Sequence, residues 1–439
     1  RPGPMKGNMI APSLDRRHGF EKAEYIHPDL KPILSETFGV VIFHEHVLRI
    51  LHTMTGCGLA RADEYRRSLE KPGTKEQIEK FFRAASTKKG YSKEVIDKVW
   101  KILEGFGSFG FCKAHGAAFA MPTYQSAWLK THFPTEFIAG LMTHDPGMYP
   151  RRLLVAEARR LGVKLLSVDI NKSSSQFHVE RTGTKDDGSP ETAIRMSFVD
   201  LQSISESEIK RFIAGQPYSS LSDFYLRAKP SKRTFERLAL VGAFDSLINP
   251  TDSTRGDILA RVKELNAIKV RPQEDDADSL FYGKYVEPLP KGNPEMDVDA
   301  KVDAELNLLG MDITQHALEK YRPMLDELGV VYASELNTIR NKTNVLVAGV
   351  RVATQTPPMR SGKRVVFISL DDGSGCSDST FFDEAQQKCS HLLFNTKLML
   401  IGGKVRRTGI KGVSIMAENA WRLDELWAQW NAKRLELSA

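Results

Sequence analysis

The chain has 439 residues, 41% of them hydrophobic and 27% charged, and carries a formal net charge of +7. That length leaves room for roughly two to four domains, each with its own core, and the positive balance permits a polyanionic partner without requiring one. No apolar run approaches the ~20 residues of a membrane span. No charged-then-apolar leader is visible either, so a cytoplasmic protein with no membrane partner is the expectation. Cys57, Cys112, Cys376 and Cys389 lack C-x-x-C spacing, which disfavours a zinc knuckle or a disulfide scaffold. Arg1 stands first where a Met is usual, so the chain reads as part of something longer.

The first ~170 residues read as helical. Val40, Phe43, Val47, Ile50, Leu51 and Met54 keep a three-to-four spacing that buries one helix face, and Gly56 and Gly58 end it. A short helix carrying Arg66, Arg67 and Lys71 stops at Pro72-Gly73. Ser92 suits the N-cap of the next, whose core face includes Val95, Val99 and Leu103. The Gly/Phe run from Gly105 then leads through Lys113 and His115 into a long apolar helix, which Pro122 should kink or restart. After strand and turn over Val163 to Val179 and a polar loop over Thr182 to Glu191, a compact helical unit spans about Ile194 to Leu247. Asp252 to Asp303 is acidic, Pro-rich and poorly periodic, and reads as a linker with little core. From about 336 the period changes: about five short strands, one followed by a helix over Glu384 to His391, suit a small Greek-key barrel of the oligonucleotide-binding type. The expected fold class is therefore multidomain α+β, with helical regions first and a small all-β barrel last.

Several residue groups invite a functional reading beside a plain one. His44, His46 and His52 with Glu45 resemble a metal set, but helix geometry points His44 and His46 apart and separates His44 from His52 by about 12 Å. Arg66, Arg67 and Lys71 form a cationic face that can grip a triphosphate or simply be a solvated helix. Lys113 and His115 stand at a helix start, which is either an anion site or a Gly-rich bend into a core helix. In the barrel, Arg360, Lys363 and Arg364 flank a strand holding Phe367, Phe381 and Phe382 sit on the next, and Lys404, Arg406, Arg407 and Lys411 cluster later. Charge for a backbone and π faces for bases are what single strands need, although about half of these aromatics must point inward. The acidic pairs Asp371-Asp372 and Asp297/Asp299 lack the setting of a two-metal site, and no triad, P-loop or dinucleotide fingerprint is present.

The strings GVVIFHEHVLRI, YRRSLEK and FGFCKAHGAAFAMPTYQSAWLKTHFPTEFIAGLM resemble the fingers region of the bacterial C-family replicative polymerase alpha subunit. THDPGMYPRRLLVAEARRLGV, VGAFDSL, LGMDITQHALEKY and TPPMRSGKRVVFISLDDGSG look like its error-prone, damage-inducible branch. The resemblance implies fingers over 1–170, a helix-hairpin-helix DNA-binding module over 171–250, a partly flexible connector over 251–335, an oligonucleotide-binding barrel over 336–425 and a tail over 426–439. By the same resemblance, Arg66, Arg67 and Lys71 would contact an incoming deoxynucleoside triphosphate, with Lys113 and His115 near the nascent base pair. Ser203, Ser205, Lys232 and Arg233 would face duplex backbone. Arg360, Lys363, Arg364, Phe367, Arg406, Arg407 and Lys411 would face single-stranded template. Partners would be primer-template DNA and a sliding clamp reached through an accessory protein. The family's Mg²⁺ would be held by palm aspartates that should precede Arg1, so this chain alone should bind no metal and be inactive. The alternative is a non-catalytic DNA-binding scaffold derived from such a polymerase.

Three departures stand out. The family's glutamine-glutamate-glutamine reads His44-Glu45-His46, a Gly is replaced by Glu70 beside the two arginines, and a Gly-hydrophobic-Gly turn reads Ser203-Ile204-Ser205. Serine resists positive φ, and a carboxylate beside Arg66 and Arg67 should weaken a triphosphate pocket.

Overall fold

The computed structural model describes residues 10–438 except 70, 72, 107–110, 146, 148, 269–287, 358–363, 410 and 411. It divides into two compact units, Arg1–Trp128 and Leu129–Ala439. The first unit is helical: α1 (Ile10–Arg17), α2 (Lys31–Leu34), α3 (His44–Thr55), α4 (Leu59–Ser68), α5 (Lys75–Lys88), α6 (Lys93–Phe106) and the start of α7 (Lys113–His132). The apolar spacing does what it predicts, since Val47, Ile50, Leu51 and Met54 of α3 join Phe82 of α5 and Val99, Trp100 and Leu103 of α6 in one core. Each such buried side chain is worth about 1.5–3 kcal/mol. Helix α3 starts four residues later than the spacing implies, because Phe43 is extended, and ends where Gly56 turns left-handed at φ 74°. Ser92 caps α6, its Oγ accepting from the Val95 N–H at 3.4 Å.

Helix α7 narrows two alternatives that the sequence leaves open. It does not restart at Pro122 but continues through it, and the Ala118 carbonyl that loses its donor lies on an exposed face where water can serve it. None of its residues is buried, so of the two readings the core helix is the one that fails: Phe119, Met121, Tyr124 and Trp128 are all exposed.

In the second unit, α8 (Pro134–His144) and α9 (Arg151–Arg160) pack on a three-stranded sheet of order β1-β3-β2, formed by β1 (Lys164–Leu166), β2 (His178–Thr184) and β3 (Pro190–Arg195). The polar stretch read as a loop is thus largely hairpin: Arg181 pairs with Thr192 and Thr184 with Pro190. Ladder pairing rather than side-chain polarity decides an exposed hairpin, which is why periodicity missed it. Four helices follow, α10 (Glu206–Ala214), α11 (Leu221–Ala228), α12 (Lys232–Leu240) and α13 (Arg255–Ala267). Phe212, Phe224, Phe235 and Phe244 are fully buried among them, with rings 5.0 to 5.8 Å apart along the chain of contacts.

Helix α13 corrects the linker reading. Ile258, Val262 and Leu265 are fully buried in the same core, and Thr254 with Asp257 closes a capping box at its start. Averaging composition over Asp252 to Asp303 hid this segment, whereas 269–287, which hold most of the acidic run, lie outside the described residues. Helices α14 (Val298–Leu308) and α15 (Arg322–Glu327) lead to the barrel.

Strands β4 (Asn344–Gln355), β5 (Val366–Asp371), β6 (Cys376–Phe381), β7 (Leu398–Arg407) and β8 (Val413–Arg422) close in the order β4-β5-β6-β8-β7. The pairing of β6 with β8 is parallel and the others are antiparallel. Alternation sends Ile368, Phe381, Ile401 and Ile415 inward, against α16 (Asp383–Leu393). This is the α+β arrangement and five-stranded barrel that the sequence leads one to expect. The last residues form α17 (Leu423–Ser438) rather than a loose tail, with Leu426, Trp427 and Trp430 packed against Tyr321, Met324 and Leu325.

Between α9 and the barrel, Arg152 donates to both Asp312 carboxylate oxygens at 3.1 and 3.0 Å, and His316 Nε2 lies 3.3 Å from Asp371 Oδ2. Asp312 and Asp371 are each buried, so this chain of charges is a fixed joint within the unit. Among the described residues, no helix is long and apolar enough to cross a membrane.

Candidate nucleotide and nucleic-acid sites

The cationic face on α4 forms, but the chain supplies its own anion. Asp63, one turn earlier, lies 3.0 Å from Arg66 and 2.6 Å from Arg67. Burial opposes its ionisation, but the two guanidinium groups outweigh that and hold the carboxyl below its ordinary range. Lys71 is exposed just beyond the helix. The i, i+3 and i, i+4 spacing was present in LARADEYRRS and is the signal that identifies Asp63 as the partner. Glu70 lies outside the described residues.

A second internal anion sits at the start of α7. Glu45 on α3 accepts from the N–H groups of Lys113 at 2.9 Å and Ala114 at 3.0 Å. Burial pushes the Glu45 carboxyl up, yet these backbone donors prevail and bring it down to about 2. The helix start is therefore an anion site, as free N–H groups and the dipole imply, but its occupant is Glu45. Lys113 Nζ lies 2.5 Å from Glu36, while His115 is exposed and stacks edge-on to Phe119 at 4.6 Å. His46 is buried, accepts from the Ile42 N–H at 3.2 Å and neighbours Glu36 at 3.4 Å, so it is a packed, bonded histidine. Arg66 and Arg67 on one side, and Lys113 on the other, are held by different carboxylates.

At the hairpin, Ser203 does adopt the left-handed region, at φ 62°, despite serine's aversion to it. Hydrogen bonds on either side hold the turn, from Gln202 N–H to Leu308 and from Ile204 N–H to Leu201. Ser205 is committed elsewhere: its N–H and hydroxyl both reach Glu208, at 3.2 and 2.9 Å, in a capping box at α10. Glu208 also accepts from the Ser231 N–H at 2.9 Å, so one carboxylate ties both hairpin turns together. Burial disfavours its charge, but the Ser231 and Ser205 donors hold the carboxyl below its ordinary value. The Ser205 N–H is thus already bonded within the chain. Lys232 and Arg233 are exposed on the first turn of α12.

On the barrel, alternation separates core from surface cleanly. Phe381 is fully buried, while Phe367, at 37% exposure, points out. Phe367 and Arg406 line the same cleft, about 460 Å³ in volume, together with Ser369, Asp378 and Thr380. Arg407 faces away from that role, its guanidinium donating to the Ile339 carbonyl at 2.9 Å. Arg364 is exposed beside β5, and Arg360, Lys363 and Lys411 lie outside the described residues. Sequence reasoning missed Ser369, Asp378 and Thr380, because only strand pairing shows that they share the outer face with Phe367.

No group of three or more His, Cys, Asp or Glu among the described residues is arranged to hold a metal ion. Asp371 and Asp372 are instead used internally, Asp372 accepting from Ser374, Gly375 and Ala333 N–H groups. The described residues thus offer no carboxylate set that fits Mg²⁺.

Helical domains and a closed five-stranded barrel make up the chain, and comparison with known proteins specifies its kind. Residues 1–90 match the bacterial DNA polymerase III alpha subunit finger domain, and 162–254 match a helix-hairpin-helix motif. Over 94% of its length the chain is 35% identical to an error-prone DNA polymerase of Symbiobacterium thermophilum, covering 42% of that protein. It is 29% identical to the DNA polymerase III subunit alpha of Vibrio cholerae, over 92% of this chain and 36% of that one. An error-prone DNA polymerase of Bdellovibrio bacteriovorus is 29% identical over 93% of this chain and 39% of its own. The chain therefore belongs with the alpha subunits of bacterial DNA polymerase III and their error-prone counterparts, and spans about two-fifths of the length of these curated relatives.

Proposed function

We propose that this chain supplies nucleotide and DNA contacts to a DNA-directed DNA polymerase of the error-prone, damage-repair kind, with template held as a single strand on the barrel. The observation that carries this reading is the outward-facing Phe367 lining one cleft with Arg406 on the closed barrel. A π face and a guanidinium on one cleft are the two contacts a single strand needs. Arg66, Arg67 and Lys71 would receive the triphosphate, displacing Asp63, and Lys113 and His115 would flank the nascent pair. Lys232 and Arg233 are the hairpin cations available to duplex backbone. The Mg²⁺-binding carboxylates of phosphoryl transfer would come from elsewhere in the parent polymerase, and a clamp would be reached through an accessory protein.

The test is the salt dependence of single-strand binding by this chain. Affinity should fall linearly in log–log form, and Arg406→Gln should flatten the slope by about 0.7, one phosphate contact. An unchanged slope would remove the barrel from the template path. Primer extension with Mg²⁺ by the purified chain is expected to be absent, and observing it would overturn the division of labour.

A further inference from the structure

The barrel cleft contains a group that nonspecific DNA binding does not call for. Asp378 on β6 is exposed and lines the cleft with Phe367 and Arg406. Among the described residues its hydrogen-bond partner is a hydroxyl: Ser369 Oγ donates to Asp378 Oδ1 at 2.5 Å. Strand register fixes this arrangement, with Ser369 opposite Asp378 and Phe367 opposite Thr380 on adjacent outward positions. Outward alternation on β7 and β8 adds Arg406 paired with Ser414.

A carboxylate in this place repels phosphates and weakens binding of any strand by charge alone. It becomes favourable when a base offers it hydrogen-bond donors, because an ionised carboxylate accepts at both oxygens and only one lone pair here is used by Ser369. The four bases differ in what they offer on the edge exposed in a single strand. Guanine presents two adjacent donors, its ring N1–H and its 2-amino group, which match the two carboxylate oxygens. Cytosine and adenine present one amino group beside an unprotonated ring nitrogen that repels the second oxygen. Thymine's single N–H lies between two carbonyls.

Resting on the reading of the barrel as a single-strand site, we propose that Asp378 reads an unpaired guanine stacked on Phe367, so that the barrel prefers guanine-containing single strands. Ser369 positions the carboxylate, Phe367 supplies the stacking face, and Arg406 takes a flanking phosphate. Thymine tracts bind through the last two alone.

Binding of the full chain to an oligo(dT) of about 15 nucleotides and to the same strand with one central dG, dA, dC or deoxyinosine tests this by fluorescence anisotropy. The strand can slide, so one guanine is enough to find the cleft. The dG strand should bind about five- to tenfold tighter than oligo(dT). Deoxyinosine, which keeps N1–H and lacks the 2-amino group, should recover only part of that gain. Asp378→Asn and Asp378→Ala should both abolish the gain and leave oligo(dT) binding equal or tighter, since a negative charge is gone. Equal binding of dG and dT strands by the unaltered chain, or a gain that survives both substitutions, overturns the guanine proposal while the single-strand reading stands. Failure of every strand to bind at low salt overturns that reading itself.

Discussion

Carboxylates set the state of the cationic residues in the first unit. Glu45 is held at about 2 in the folded chain against an ordinary 4.5. Because the folded value is the lower one, its stabilisation is complete above pH about 4.5 and is lost as pH falls toward 2. After solvent screening this amounts to on the order of 1–2 kcal/mol. Glu45→Gln should show that loss at pH 7 and little further loss at pH 3, read from denaturant unfolding at both. If the variant and the parent differ equally at the two pH values, the N-terminal bonds of Lys113 and Ala114 do not depend on the charge. Asp63 competes with any triphosphate for Arg66 and Arg67, so Asp63→Asn should tighten deoxynucleotide or tripolyphosphate binding by up to about fivefold. Isothermal titration showing weaker binding instead would mean that Asp63 orients the arginines rather than blocking them. Ser203 pays a left-handed cost of about 1 kcal/mol. Ser203→Gly should accordingly leave the melting temperature unchanged or raised, while Ser203→Val lowers it.

Among the elements, the hairpin pair and α7 show how far pattern alone carries. Ser205-x-x-Glu208 is readable as a capping box, and the structure confirms it. That the same Glu208 crosses to Ser231 is not readable, because the contact spans 23 residues and depends on how α10 packs beside α12. Glu208→Ala should cost about 2–3 kcal/mol, since it leaves several buried donors unpaired. A smaller effect, within about 0.5 kcal/mol, would mean that water replaces the carboxylate there. For α7 the sequence shows a helix start, a proline and many apolar residues, and those same signs fit burial equally well. Exposure of Phe119, Met121 and Tyr124 is a tertiary outcome, as is the arrival of Glu45 at its first turn from a helix 68 and 69 positions away. Helix α13 was hidden for the opposite reason, a good apolar stripe diluted by its acidic surroundings.

Within the second unit, the barrel is joined to the helical part by side chains remote in sequence. Arg152 and Asp312 are separated by 160 residues, and His316 and Asp371 by 55. Asp312 also accepts from the Ala317 N–H at 2.9 Å, so Asp312→Ala should cost about 3–5 kcal/mol and broaden or split the unfolding transition. A single sharp transition with unchanged midpoint would show that apolar packing alone fixes the barrel. What the sequence determined by itself was the order of parts: helices by their 3.6 period, a period-2 barrel after residue 336, and cations clustered at 66–71 and 404–411. These are local properties, legible because periodicity and cap chemistry act over a few residues. The pairing of Asp63 with Arg66 and Arg67 is likewise local, whereas tertiary structure alone brought Glu36 to Lys113 and Glu45 to the start of α7, and turned Arg407 into a brace. It also decided which aromatics face solvent and brought Asp378 beside Phe367. Long-range charge pairing and strand register depend on positions in space, and no short window of sequence contains them.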